Sequence, residues 1–200
     1  MKAFVTARGL PVPLIEDNVD TDVIIPSREI RSVGKEGLAD GLFAGRRYRG
    51  GREPEPGFVL NDPRYAGSPI LLGGANFGCG SSREAAVWAL REYGFRVVVA
   101  PSFNPIFKRN CVRNFLLPAT ADAAAIAACG DAVTVDLAAR SITAQGGQAW
   151  SFTIEDDAAE MLLTGRDEID FTLVEADRIE AWREGDRRAR PWAYLTGASG

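Results

Sequence analysis

Between residues 69 and 118 the chain alternates short apolar runs with helical patterns, and glycine or proline marks most of the changes of period. Residues 69–72 (PILL) are an apolar strand that ends in Gly73-Gly74. Residues 82–93 (SREAAVWALREY) are rich in good helix formers, put Ala86, Leu90 and Tyr93 on one face, and are followed by Gly94 at the C′ position. Residues 96–100 (RVVVA) form a buried strand bounded by Pro101, 103–112 a short helix, and 115–117 a strand stopped by Pro118. This alternation restricts the chain to a β/α architecture.

The flanks follow the same reading. Residues 3–8 and 11–15 form a short hairpin or bend, split by Gly9-Leu10-Pro11. Residues 31–57, rich in Gly, Arg and Glu, read as a long mobile loop with one short helix, and either reach an anionic ligand or are simply solvated. Downstream come an alanine-rich helix at 121–128, a meander of strands at 133–137, 141–144 and 150–154, and helices at 155–164 and 175–184. Residues 185–200 form a flexible tail, and the whole, 1–200, reads as a single domain.

Composition narrows the chemistry. Apolar residues make up 46% and charged residues 25%, ordinary for a water-soluble domain with its own core. No apolar run approaches the roughly 18 residues a membrane span needs, and the first residues lack a signal-peptide pattern, so the cytoplasm is the expected location. A net charge of −4 speaks against nucleic acid as a partner. Three scattered cysteines, Cys79, Cys111 and Cys129, are too few for a disulfide framework and read as tolerated thiols. There is no histidine, which excludes every His-based triad, zinc site or proton shuttle within this chain.

Acid–base chemistry therefore has to come from another side chain, and residues 76–90, NFGCGSSREAAVWAL, supply the candidates. Gly78 and Gly80 let the backbone turn tightly between a strand and a helix. Ser81 followed by Glu84 is a capping-box pattern that places the helix start at Ser81. Arg83 then falls in the first turn, where a cation opposes the helix dipole. Such a residue invites a functional account, as a clamp on a carboxylate. A well-capped helix start, an anion site for a carboxylate or alkoxide, and a phosphate site all remain open on the residues alone. The last is weakest, because no Gly-Lys-Ser/Thr follows.

The same stretch resembles the small subunits of isopropylmalate dehydratase, relatives of the aconitase swivelling domain. Further matches fall in order along the chain: residues 18–26 (NVDTDVIIP), 58–61 (FVLN), 94–103 (GFRVVVAPSF) and 116–118. The resemblance covers roughly the first 120 residues strongly and the remainder weakly. It implies an α/β fold, the aconitase-like swivelling β/β/α domain. It also implies a hydro-lyase that isomerises 2-isopropylmalate and 3-isopropylmalate by dehydration and rehydration in leucine biosynthesis. By the same resemblance Ser81 is the catalytic base, Arg83 a catalytic residue that also grips a substrate carboxylate, and Asp22 an active-site aspartate. Ser82 and Arg47 are the further substrate contacts. The cofactor, a [4Fe–4S] cluster, belongs to a separate large subunit, with which this chain forms a heterodimer or heterotetramer; this chain itself holds no metal.

The family's Ser-Arg-Glu-His-Ala-Pro is here Ser82-Arg83-Glu84-Ala85-Ala86-Val87. Either the histidine is structural and the enzyme works normally, or the chain is a paralogue with reduced activity or with another 2-hydroxy diacid, of the citramalate or homocitrate type, as substrate. The rival from another class is a non-catalytic binding module on the same fold. Residues 104–114 are also more basic than the family text, through Lys108, Arg109 and Arg113.

Overall fold

The structure, a computed structural model, describes residues 3–30, 34–81 and 83–194. The chain divides into two compact units, Met1–Gly165 and Arg166–Gly200.

The first unit contains two four-stranded sheets among its described residues. Its elements run β1 (Thr6–Gly9), β2 (Val12–Leu14), α1 (Thr21–Ile24), α2 (Ala44–Arg47), β3 (Ile70–Gly73), α3 (Glu84–Tyr93), β4 (Val97–Ala100) and α4 (Pro105–Arg113). β5 (Leu117–Thr120), α5 (Ala123–Cys129), β6 (Val133–Asp136), β7 (Ser141–Ala144), β8 (Ala149–Ser151) and α6 (Asp156–Thr164) complete it. In the second unit α7 (Glu168–Val174) is followed by α8 (Ala176–Ala189).

One sheet is parallel, in the order β2-β3-β4-β5. Its two inner strands are buried at every residue, as expected of continuous apolar runs covered on both faces. Because side chains alternate, Leu71, Val98 and Ala100 join Val12 and Leu14 in a core under α3 and α4, with Ala86, Leu90 and Phe107. Ile70, Leu72, Val97 and Val99 point the other way, against Val133, Val135 and Ile142 of the second, antiparallel sheet, β1-β6-β7-β8. The layers are therefore sheet, sheet and helix, as the family resemblance implied.

Several local expectations differ from what the structure shows. β1 and β2 form no hairpin: β1 pairs antiparallel with β6, and β2 pairs parallel with β3. The chain changes sheets at Gly9, where a side chain would come within 2.8 Å of Pro69 Cδ. Pro118 does not stop its strand but lies inside β5, in register with Val98. Proline is tolerated there because β5 is an edge strand: Leu117 N–H faces inward to the Arg96 carbonyl, so the neighbouring imide nitrogen faces outward.

The helix after the glycine-rich turn begins at Glu84 rather than Ser81, with Arg83 as an N-cap residue of extended conformation. The Arg83 side chain makes no capping hydrogen bond, and the Glu84 carboxylate accepts from Asn114 Nδ2 at 2.7 Å. Finally, residues 34–57 are wound into 3-10 turns at Ala39–Gly41 and Gly50–Arg52 and the short α2. They contribute Leu38, Leu42 and Phe43 to the helix-side core. The Glu92 carboxylate accepts the N–H groups of Gly37, Leu38 and Ala39 at 2.6, 2.5 and 2.8 Å. In the second unit α7 was not foreseen, and α8 continues past the expected end at 184 to Ala189. Residues 195–200 of the expected flexible tail lie outside the described residues.

Candidate active site at the carboxyl ends of the parallel strands

Three segments extend the parallel sheet beyond its regular strands. The Asp20 backbone bridges Cys79, and Phe77 bridges Phe103, both in parallel sense. Gly78 N–H donates to the Val19 carbonyl at 2.8 Å, and Thr21 N–H to the Cys79 carbonyl at 2.9 Å. Asn76 Nδ2 reaches Asn18 Oδ1 at 2.9 Å, with both residues in the left-handed region. The glycine-rich turn thus sits at the carboxyl ends of β2, β3 and β4, where open α/β sheets gather their ligand sites.

The turn is held from below by aromatic packing. Phe77 is fully buried and meets Phe107 edge-on at 5.7 Å and Phe103 at 6.4 Å. Gly78 has a φ of +76°, and a Cβ there would lie 2.1 Å from Phe107 Cγ, so only glycine allows the crossing. Gly80, at +87°, is pressed against Asp20 and Thr21.

On this base Ser81 lies in an exposed bend. Ser82 lies outside the described residues. Arg83 is brought to Asp22, on α1, and the two form an ion pair. The Arg83 Nη1 is otherwise buried and makes no hydrogen bond of good geometry among the described residues. Asp22 thus holds the guanidinium beside the N-terminus of α3. The Arg83 side chain nevertheless stays part-exposed, which leaves it open to an incoming carboxylate. Sequence reading placed Ser81, Arg83 and Asp22 in one site, and the structure brings them to one end of the sheet.

Arg47 is placed differently. Its Nη1 donates to the Ala39 carbonyl at 3.2 Å, and its guanidinium lies over Tyr93 and Tyr48 at 4.9 and 5.1 Å. These contacts brace the 34–57 segment against α3. Its neighbour Arg46 pairs with Glu16, whose carbonyl accepts Gly74 N–H at 3.0 Å, on the strand leading to the turn. Sequence reading also passed over Thr21, a fully buried hydroxyl between Asp20 and Asp22. Its only signal was a polar residue at an otherwise apolar helix position.

The basic stretch of α4 is engaged within the chain: Lys108 pairs with Glu155 at 2.8 Å, and neither Arg109 nor Arg113 is free. Ala85, where the family motif has histidine, is only 8% exposed and packs in the helix-side core. The described residues hold no group of three or more His, Cys, Asp or Glu placed for a metal. Cys111 belongs to the helix-side core, whereas Cys129 packs against the core on the other face of the parallel sheet. The cysteines therefore do not fit as ligands of one iron–sulfur cluster, which needs three or four converging thiolates.

Comparison with known proteins bears on the fold and the family. Residues 1–124 match the family described as the aconitase C-terminal domain. The 3-isopropylmalate dehydratase small subunit of Cupriavidus necator is 50% identical, with 98% of this chain and 100% of that protein covered. The 3-isopropylmalate dehydratase small subunit 1 of Bordetella pertussis is 43% identical, over 96% and 99%. The crystal structure of 3-isopropylmalate dehydratase from Methanocaldococcus jannaschii superposes with a TM-score of 0.67 at 28% identity, covering 89% of this chain and 99% of that one. By fold and by identity over nearly the full chain, the chain belongs to the 3-isopropylmalate dehydratase small-subunit family, on the fold of the aconitase C-terminal domain.

Proposed function

We propose that this chain is the small subunit of a hydro-lyase that interconverts 2-isopropylmalate and 3-isopropylmalate in leucine biosynthesis, working in the cytoplasm with a larger iron–sulfur subunit. Identity of 50% to a small subunit of that name, over its full length, carries the reading. The chain's own contribution is acid–base and binding chemistry. Ser81 removes the proton on the carbon next to a carboxylate during dehydration and returns one during hydration. Arg83 holds that carboxylate, with Asp22 fixing the guanidinium and the free N–H groups at the start of α3 adding positive potential. Ser82 would add a hydroxyl contact to the same carboxylate. Arg47 acts on the substrate only if binding draws it away from Tyr93 and Ala39. The iron–sulfur cluster belongs to the large subunit, since the thiols here do not converge.

The burial of Ala85 favours a packing role for the family's histidine and an active enzyme over a degenerate binding module. The test is anaerobic turnover of 2-isopropylmalate, 3-isopropylmalate and citramalate- or homocitrate-type diacids by the assembled complex. Ser81→Ala should assemble normally and lose about 10²–10⁴-fold in turnover, the usual worth of a general base. Unchanged turnover in that variant would refute the base assignment. Activity confined to another diacid would keep the chemistry and move the substrate.

A further inference from the structure

Thr21 is fully buried, yet among the described residues its Oγ1 has no hydrogen-bond partner. Its backbone is accounted for: the N–H donates to the Cys79 carbonyl, and the carbonyl accepts from Ile25 N–H at 2.9 Å. The hydroxyl alone is idle. A buried hydroxyl without a partner is unfavourable, and valine would fill the same space without that cost. The hydroxyl also has a direction. A Cβ built on Gly80 would lie 3.7 Å from Thr21 Oγ1, so it faces the residue immediately before Ser81. That turn is tied to the 18–21 segment by the Asp20–Cys79 bridge and by the close approach of Gly80 to Asp20.

We propose that Thr21 is a positioning residue for the Ser81 base: its Oγ–H donates a hydrogen bond to the Ser81 hydroxyl oxygen when the exposed bend settles over bound substrate. The hydrogen bond strengthens as Ser81 becomes an alkoxide, because a hydrogen bond to the charged form favours that form. Thr21 itself neither gains nor loses a proton. The inference rests on the reading of Ser81 as the base, and it adds a second donor, besides the α3 N-terminus and Arg83, to stabilise an otherwise poor base.

The experiment uses the assembled complex, with the pH dependence of kcat and KM for 2-isopropylmalate measured in Thr21→Val, Thr21→Ser and Ser81→Ala. Thr21→Val should lower kcat about 10–100-fold, leave KM within about twofold, and move the acid limb of the kcat profile to higher pH. Thr21→Ser keeps the hydroxyl and should restore most of kcat and the parent pH limb. Parent-like kcat and pH limb in Thr21→Val, with Ser81→Ala inactive, would overturn the inference and leave the base assignment standing. So would a loss in Thr21→Val that moves no pH limb and that Thr21→Ser fails to rescue, since that marks a packing role. Full activity in Ser81→Ala would overturn the inference together with the reading beneath it.

Discussion

Glu92→Ala tests how the segment at 34–57 is tied down. Glu92 lies in the last turn of α3, where an acid opposes the helix dipole. It is held there by three backbone N–H groups, those of Gly37, Leu38 and Ala39. Burial on its own would raise the carboxyl's pKa, but the three hydrogen bonds together outweigh it, and the value lies below the ordinary 4.5. Gly37 and Ala39 bond at the surface, where water substitutes on truncation, so each is worth little. Leu38 is only 1% exposed, and its N–H is the one left unsatisfied. That places the loss at about 2 kcal/mol in all. For a chain of this size it is a fall of about 4–8 °C in Tm. A group whose folded pKa is depressed stabilises above its unfolded pKa, and that contribution is lost as pH falls through the folded value. The gap between parent and variant should therefore be full at pH 7 and narrow below about pH 4.5. Thermal melts at pH 7 and pH 4 measure both. An unchanged Tm at pH 7, or an equal deficit at both pH values, would refute the account. Since the Ala39 carbonyl also receives Arg47, the same variant should raise KM more than it lowers kcat if Arg47 touches substrate.

Two further outcomes follow from the packing around the site. Gly78→Ala forces a Cβ into the Phe107 ring at positive φ and should cost about 2–5 kcal/mol in urea unfolding. Gly50→Ala, at a position with open space and no positive φ, should stay within about 0.5 kcal/mol of the parent, and similar losses in both would discredit the steric argument. Cys111 is fully buried, and burial pushes its thiol well above the usual range. Cys79 and Cys129 are part-exposed, so a thiol reagent should label those two in the native chain and Cys111 only on unfolding; early labelling of Cys111 would contradict the packing of α4.

The sequence by itself determined the elements whose signals lie within a few residues. The apolar run of β3, the helical face of α3 with Gly94 closing it, and the meander of β6, β7 and β8 were all legible, because periodicity and turn chemistry act over one element's length. The motif around Ser81 was legible for the same reason, as was the pairing of its neighbourhood with the Asp20-Thr21-Asp22 segment through family resemblance. What only the tertiary structure decided was which surface each element meets. β1 and β2 go to different sheets because their partners, β6 and β3, compete across the whole chain. Pro118 survives in β5 because that strand happens to be an edge. Glu84 finds Asn114, 30 residues away, and the 34–57 segment is fastened by a carboxylate 53–55 residues on. Such contacts depend on long-range burial and on closing large loops, and neither is encoded in any local window.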